Sequence, residues 1–167
     1  MIAAFILVSF LLSFAQLMQQ RETLSSGQVG ALVFLAVLYL TSYLAMVVTT
    51  VVVTASDPTD PTVAFERVSR VAKARGVAVG HEFNENCYNF YCDVCDTHVL
   101  KDTKHCQRCN RCSYEFDHHC EWVSNDIGQH NYVEFIRMLV AVLTTITFQL
   151  IFASIALKVN DNMQQPP

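Results

Sequence analysis

Nine candidate metal ligands or nucleophiles in a regular spacing run from Cys92 to Cys120: Cys92, Cys95, His105, Cys106, Cys109, Cys112, His118, His119 and Cys120. Cys92 and Cys95 form C-x2-C, as do Cys106 and Cys109, and Cys109 and Cys112 repeat the interval. Two intervening residues let both sulfurs of a tight turn reach one tetrahedral ion at about 2.3 Å. A thioredoxin-like redox motif would need a βαβ context, which this segment lacks. Two closed four-coordinate sites take eight ligands, one fewer than the candidates present. His118 and His119 are adjacent and point in different directions, so they do not both suit structural ligation. Spacing alone therefore leaves one ligand unassigned and does not say which residues pair. It also leaves open whether Cys120, in "EFDHHCEWVSND", is a ligand or a nucleophile activated by its neighbours.

These residues need a scaffold. Residues 87–131 form a short cysteine-rich module with few large aliphatic side chains, too small to be stabilised by burial alone. Bound zinc would supply the missing folding free energy. The full chain has 167 residues, 52% of them hydrophobic and 16% charged, and the two classes are segregated along it. All seven cysteines lie within the module or at its edge, an odd number that a complete disulfide framework would not use up. A net charge of −4 gives no basic footprint for nucleic acid, so a nucleic-acid partner is not expected. No internal repeat or low-complexity tract is apparent.

The apolar residues form three blocks, read as transmembrane helices over residues 2–18, 29–55 and 134–158. The first sits at the lower length limit for a ~30 Å hydrocarbon core. It lacks the basic n-region and cleavage site of a signal peptide. The second is free of charge and has no polar face, as a soluble core helix would. "SDPTDP" stops it and opens a linker over 56–86, and a polar, frayed tail is expected over 159–167. The predicted fold class is thus an α-helical integral membrane protein, with a mostly irregular and β-hairpin zinc-binding domain between helices two and three.

Eight Lys and Arg residues lie between the second and third helices, against one in the first turn and one in the tail. The positive-inside rule then places the module in the cytosol, where disulfides are disfavoured. Four of those bases, Arg67, Arg70, Lys73 and Arg75, lie just beyond the second helix. They either rest on anionic headgroups or form the positive face of a solvated helix. Cys87 falls outside the ligand spacing, and His81, His98 and His130 read as surface or local packing residues.

The complete pattern, C-x2-C-x9-H-C-x2-C-x2-C-x4-D-H-H-C-x5-D, with Trp122, Gly128, Asn131, Tyr132 and Phe135, closely resembles the Asp-His-His-Cys protein S-acyltransferases, which are membrane palmitoyltransferases. "SDPTDP" resembles the family's Asp-Pro-Gly motif, with Thr59 at the glycine. The resemblance implies two structural zinc ions: one on Cys92, Cys95, His105 and Cys112, the other on Cys106, Cys109, His119 and residue 126. It leaves Cys120 as the acyl-accepting nucleophile, with His118 as its base and Asp117 orienting the imidazole. It also implies palmitoyl-CoA as acyl donor, cytosolic-face proteins bearing a cysteine as acceptors, and a place among membrane lipids of the ER, Golgi or plasma membrane.

Three features depart from that pattern. Asp126 stands where the family has a zinc cysteine; a carboxylate can ligate zinc at about 2.0–2.2 Å but is a harder, rarer structural ligand. Glu121 replaces the proline after the nucleophile. The family's fourth helix and Thr-Thr-x-Glu motif have no counterpart after Leu157, which suggests a truncated member. These departures set the alternative: a catalytically silent, zinc-stabilised membrane adaptor.

Overall fold

The computed structural model describes residues 2–19, 21–77 and 90–164. Cys87, His81 and most of the second half of the 56–86 linker lie outside them. The chain divides into two compact units, residues 1–50 with 137–167, and residues 51–136.

The first unit is helical. Helix α1 (Ile2–Gln19) is followed by a single 3-10 turn (Arg21–Thr23) and by α2 (Ser26–Ala55), which continues into the second unit. Helix α2 starts three residues before the expected 29. Ser25 accepts a hydrogen bond from the Gln28 amide, and the Gln28 side chain accepts one from the Ser25 amide. That reciprocal capping box satisfies two end donors, a local signal outweighed in the sequence by the onset of the apolar run. Helix α4 (Tyr132–Gln164) starts in the second unit. It corrects the expected frayed tail: the helix runs through 159–164, because nothing before Pro166 breaks its hydrogen-bond ladder.

Phe10, Tyr39 and Phe152 form the buried centre of this unit and bring α1, α2 and α4 together. Phe10 stacks on Tyr39 with ring centroids 3.8 Å apart and meets Phe152 edge-on at 4.9 Å. The Tyr39 hydroxyl donates to the Ile6 carbonyl at 3.1 Å, so the one polar atom of the cluster is satisfied. Two helices, Ser26–Ala55 and Tyr132–Asp161, are long and apolar enough to cross a membrane. Helix α1 has 18 residues, about 27 Å at 1.5 Å per residue, and is a shorter apolar helix.

Among its described residues, the second unit holds a helix and three hairpins between the end of α2 and the start of α4. Helix α3 (Pro61–Ala74) lies inside what the sequence reads as a linker. Asp60 caps it by accepting from the Thr62 amide, and Pro61 takes the first helical position, where no amide is needed. The other Asp60 oxygen accepts from the Leu100 amide at 2.9 Å and from the Thr103 hydroxyl. The Asp60 amide in turn donates to the Cys112 carbonyl at 2.8 Å, so "SDPTDP" braces two hairpins as well as ending α2.

The hairpins pair β1 (Phe90–Cys92) with β2 (Thr97–Val99), β3 (Lys104–Cys106) with β4 (Arg111–Ser113), and β5 (His118–Cys120) with β6 (Asn125–Ile127), all antiparallel. Here the structure corrects the reading that the sequence has no internal repeat. Cys92, Cys106 and Cys120 recur every 14 residues, each the last residue of its first strand, opposite Thr97, Arg111 and Asn125. The middle pairs, Tyr91–His98, His105–Cys112 and His119–Asp126, are equivalent in register. Each connecting turn ends on a left-handed residue: Asp96 (φ 52°), Asn110 (φ 49°) and Ser124 (φ 50°). The repeat is hidden in sequence because only the turn geometry and the cysteine persist, while most other positions change type.

Candidate metal centres and nucleophile

Each cluster of candidate ligands draws on two successive hairpins. The turn of one hairpin supplies C-x2-C, and the middle strand pair of the next supplies two more ligands. Cys92, Cys95, His105 and Cys112 converge in this way, with one ligand atom of each within 4.8 Å of the others. His105 Nδ1 lies 3.7 Å from Cys92 Sγ, 3.4 Å from Cys95 Sγ and 3.7 Å from Cys112 Sγ. A tetrahedral ion with bonds of about 2.0–2.3 Å spaces its ligand atoms roughly 3.3–3.8 Å apart, so this donor set fits zinc. Val63 and Val99 pack against Cys112. Burial pushes the Cys112 thiol well up, helped by Cys92 and Cys95 beside it.

One hairpin later, Cys106, Cys109, His119 and Asp126 converge within the same 4.8 Å limit. His119 Nδ1 lies 3.8 Å from Cys106 Sγ and 3.3 Å from Cys109 Sγ. The carboxylate is drawn closer: Asp126 Oδ1 is 2.8 Å from His119 Nδ1 and accepts from the Cys109 thiol at 3.1 Å. These four residues can hold a metal ion, with Asp126 Oδ1 at the position that Cys112 fills in the first cluster. Burial, and then the bond to Asp126, push the Cys109 thiol up to about 11.

Sequence reasoning missed how Asp126 is supported. Its side chain is fully buried, and Oδ2 accepts from the Ser113 hydroxyl at 3.0 Å and faces Arg111 Nε at 3.6 Å. Burial works to raise this carboxyl, but hydrogen bonds with Cys106, His119, Cys109 and Ser113 outweigh it and hold the group below the usual carboxylate range. Arg111 also bonds the Asn125 side-chain oxygen. The Asn125 amide nitrogen donates to the carbonyls of Val53 and Ser56, each at 2.8 Å, and so ties β6 to the last turn of α2. Asn131 donates to Ser56 Oγ and to the Asp126 carbonyl and accepts from the Gly128 amide. Gly128 is required by close approach, since a Cβ there would meet the Tyr114 carbonyl oxygen at 2.6 Å. The signal for these residues was the 14-residue interval, which aligns Asp126 with Cys112.

Cys120 belongs to neither cluster and is a buried free thiol. It occupies the first-ligand position of the third hairpin, but Val123 stands where Cys95 and Cys109 close the first two chelates. No fourth hairpin follows; α4 begins at Tyr132. Strand β5 then separates roles by its two-residue period, with His118 and Cys120 on one face and His119 on the other. His118 Nδ1 lies 3.2 Å from Asp117 Oδ2, and its ring meets Phe135 edge-on at 5.2 Å. Glu121 is ion-paired with Arg108 across the tips of two hairpins. His98 packs edge-on against Tyr91 at 5.1 Å, and His130 is exposed.

The family model described as DHHC palmitoyltransferase matches residues 85–166. The chain is 33% identical over 95 residues to "Palmitoyltransferase SWF1" of Kluyveromyces lactis, covering 52% of this chain and 29% of that protein. It is 45% identical over 51 residues to "Palmitoyltransferase ZDHHC4" of Bos taurus, covering 30% and 15%. It is 38% identical over 51 residues to "Probable protein S-acyltransferase 20" of Arabidopsis thaliana, covering 30% and 7%. The chain thus spans less than a third of the length of these relatives. The matched residues carry both candidate metal clusters and the free thiol, and it is through them that residues 85–166 match the DHHC palmitoyltransferase family.

Proposed function

We propose that this chain is a protein S-acyltransferase that carries a palmitoyl group as a thioester on Cys120. The observation that carries the reading is the third hairpin: Cys120 keeps the ligand position of the repeat but has lost the partners that would bind it to metal. That leaves a buried thiol two residues from a histidine on the same strand face.

The chemistry follows from that face. Asp117 accepts the Nδ1 proton of His118, which selects the tautomer with a free Nε2 lone pair. Nε2 takes the Cys120 proton, and the thiolate attacks the thioester carbonyl of palmitoyl-CoA. The CoA thiolate leaves, taking that proton from His118, and the acyl group stays on Cys120. A substrate cysteine then gives its proton to His118 and attacks the Cys120 thioester, and Cys120 leaves as thiolate and takes that proton back. His118 acts as base in the first half and as acid in the release of CoA, with its ring seated against Phe135.

Two zinc ions, one on each four-residue cluster, would crosslink the three hairpins and hold β5 in place. Helices α1, α2 and α4 are read as three membrane spans, supported by the ring cluster that packs the short α1 against the two longer helices. The eight bases between α2 and α4 favour a cytosolic position for the hairpins, in an endomembrane or the plasma membrane.

The test is a clickable palmitate supplied to membranes containing the chain. Label that hydroxylamine removes is expected on the unmutated protein, absent from Cys120→Ser and at least tenfold lower in His118→Ala, within the ~10²–10⁴-fold span of general base catalysis. An unlabelled protein that retains its metal ions would overturn the enzyme reading and favour the silent adaptor.

A further inference from the structure

We propose that α3 is an interfacial helix that seats on an anionic lipid surface. The proposal rests on the reading that α2 spans the membrane and goes beyond the acyl transfer. Only residues 56–60 separate the last turn of α2 from Pro61, so α3 starts within one short turn of that helix. One side of α3 is occupied: Val63 is buried against Val99 and Cys112. Val68 and Val71, three positions apart and therefore neighbours on the helix surface, remain 64% and 52% exposed.

The charges beside those valines point to the occupant. Arg67 and Arg75 flank that strip at helical spacing, are exposed and form no ion pair among the described residues, whereas Lys73 falls on the opposite side of the helix and Arg70 is spent on Asp96 at 3.7 Å. The single acid of the helix, Glu66, is half-buried. A short apolar strip rimmed by unpaired bases matches an acyl–headgroup boundary carrying negative charge. The strip is too small to anchor a soluble chain, but here a covalently attached spanning helix already holds it near the surface. Lipid contact would then set the orientation of α3 and, through Asp60 and its bonds to Leu100 and Thr103, that of the first hairpin.

The experiment uses the full chain reconstituted in lipid nanodiscs, with Val68→Trp as a reporter and Trp122→Phe to remove the native indole. Co-elution with the discs tests the spanning reading separately. In discs of phosphatidylcholine with about one-third phosphatidylserine, the reporter should emit to the blue and be quenched by brominated acyl chains. The ratio of seated to solvated helix should fall roughly fivefold for each base neutralised in Arg67→Gln and Arg75→Gln and stay unchanged in Lys73→Gln. The Arg67→Lys, Arg75→Lys variant should keep the quenching, which separates charge from side-chain shape. A solvated reporter in the anionic discs would overturn the proposal and leave the face to a protein partner or to water. Equal quenching in pure phosphatidylcholine, unchanged by neutralisation, would also overturn it.

Discussion

The two candidate metal clusters are built to one plan and lie one hairpin apart, yet they differ at a single donor. Cys112 closes the first from an apolar setting of Val63 and Val99. Asp126 closes the second from a polar one, with Ser113 and Arg111 on the oxygen that does not face the cluster. A buried carboxylate needs such partners, because an unpaired charge removed from water is strongly penalised. The difference teaches that the second site exchanges a soft, self-sufficient ligand for a hard one that depends on its surroundings. The two sites should therefore respond differently to the same perturbation.

The largest effect should come from breaking the apolar site. Structural zinc in small domains contributes an apparent ~10–16 kcal/mol, so Cys112→Ser should release one ion and unfold the first two hairpins. Metal content and proteolysis between residues 90 and 113 would show this. Asp126→Cys should do the opposite for the second site and slow metal loss to a chelator by roughly tenfold or more, since thiolate suits zinc better in a closed site. If release is unchanged, a thiolate at this position holds the ion no better than the carboxylate does. Ser113→Ala touches only a supporting bond, and a loss of about 10–100-fold in affinity is expected at the second site with none at the first. Competition titration against a chromogenic chelator separates the two.

Proton release gives the smallest and sharpest contrast. The Cys109 thiol is pushed up to about 11 by burial and by Asp126, so it is protonated at neutral pH and must lose its proton to bind a cation. The Asp126 carboxyl is held below its usual range and is already ionised there, so it releases none. Affinity at the second site should rise with pH, and Asp126→Cys should steepen that rise by up to one proton per ion. Calorimetry in buffers of different ionisation heat would count the protons.

The comparison extends to the third hairpin, where the repeat ends without a site. Val123→Cys would restore the C-x2-C chelate at Cys120 in a buried position that accepts a side chain of similar size. Added zinc should then suppress palmitate labelling of this variant several-fold and leave the unmutated protein unaffected. Such a result would tie the reactivity of Cys120 to its missing chelate partner.

Much of this was legible in the sequence. The apolar runs marked α2 and α4, since a long uncharged stretch has few other stable states. Their ends were less clear: the capping box at Ser25 and the continuation of α4 to Gln164 are settled by local hydrogen bonds, which hydropathy does not record. Helix α3 was read only as an alternative around Arg67–Arg75, and its start was hidden because its caps, Asp60 and Pro61, also read as a break. The candidate ligands were visible as types and intervals, but spacing left their pairing open, and only the family resemblance proposed one.

By itself, the sequence determined the chelating bites and the long apolar helices. Both depend on residues a few positions apart, so chain geometry alone brings them together. Tertiary structure decided what requires two elements to meet: that the turn of one hairpin faces the strands of the next, that Asp126 is buried with Ser113 and Arg111, and that Cys120 is left over. These depend on strand register and on contacts between distant residues, such as Asn125 with Val53, which no local pattern encodes.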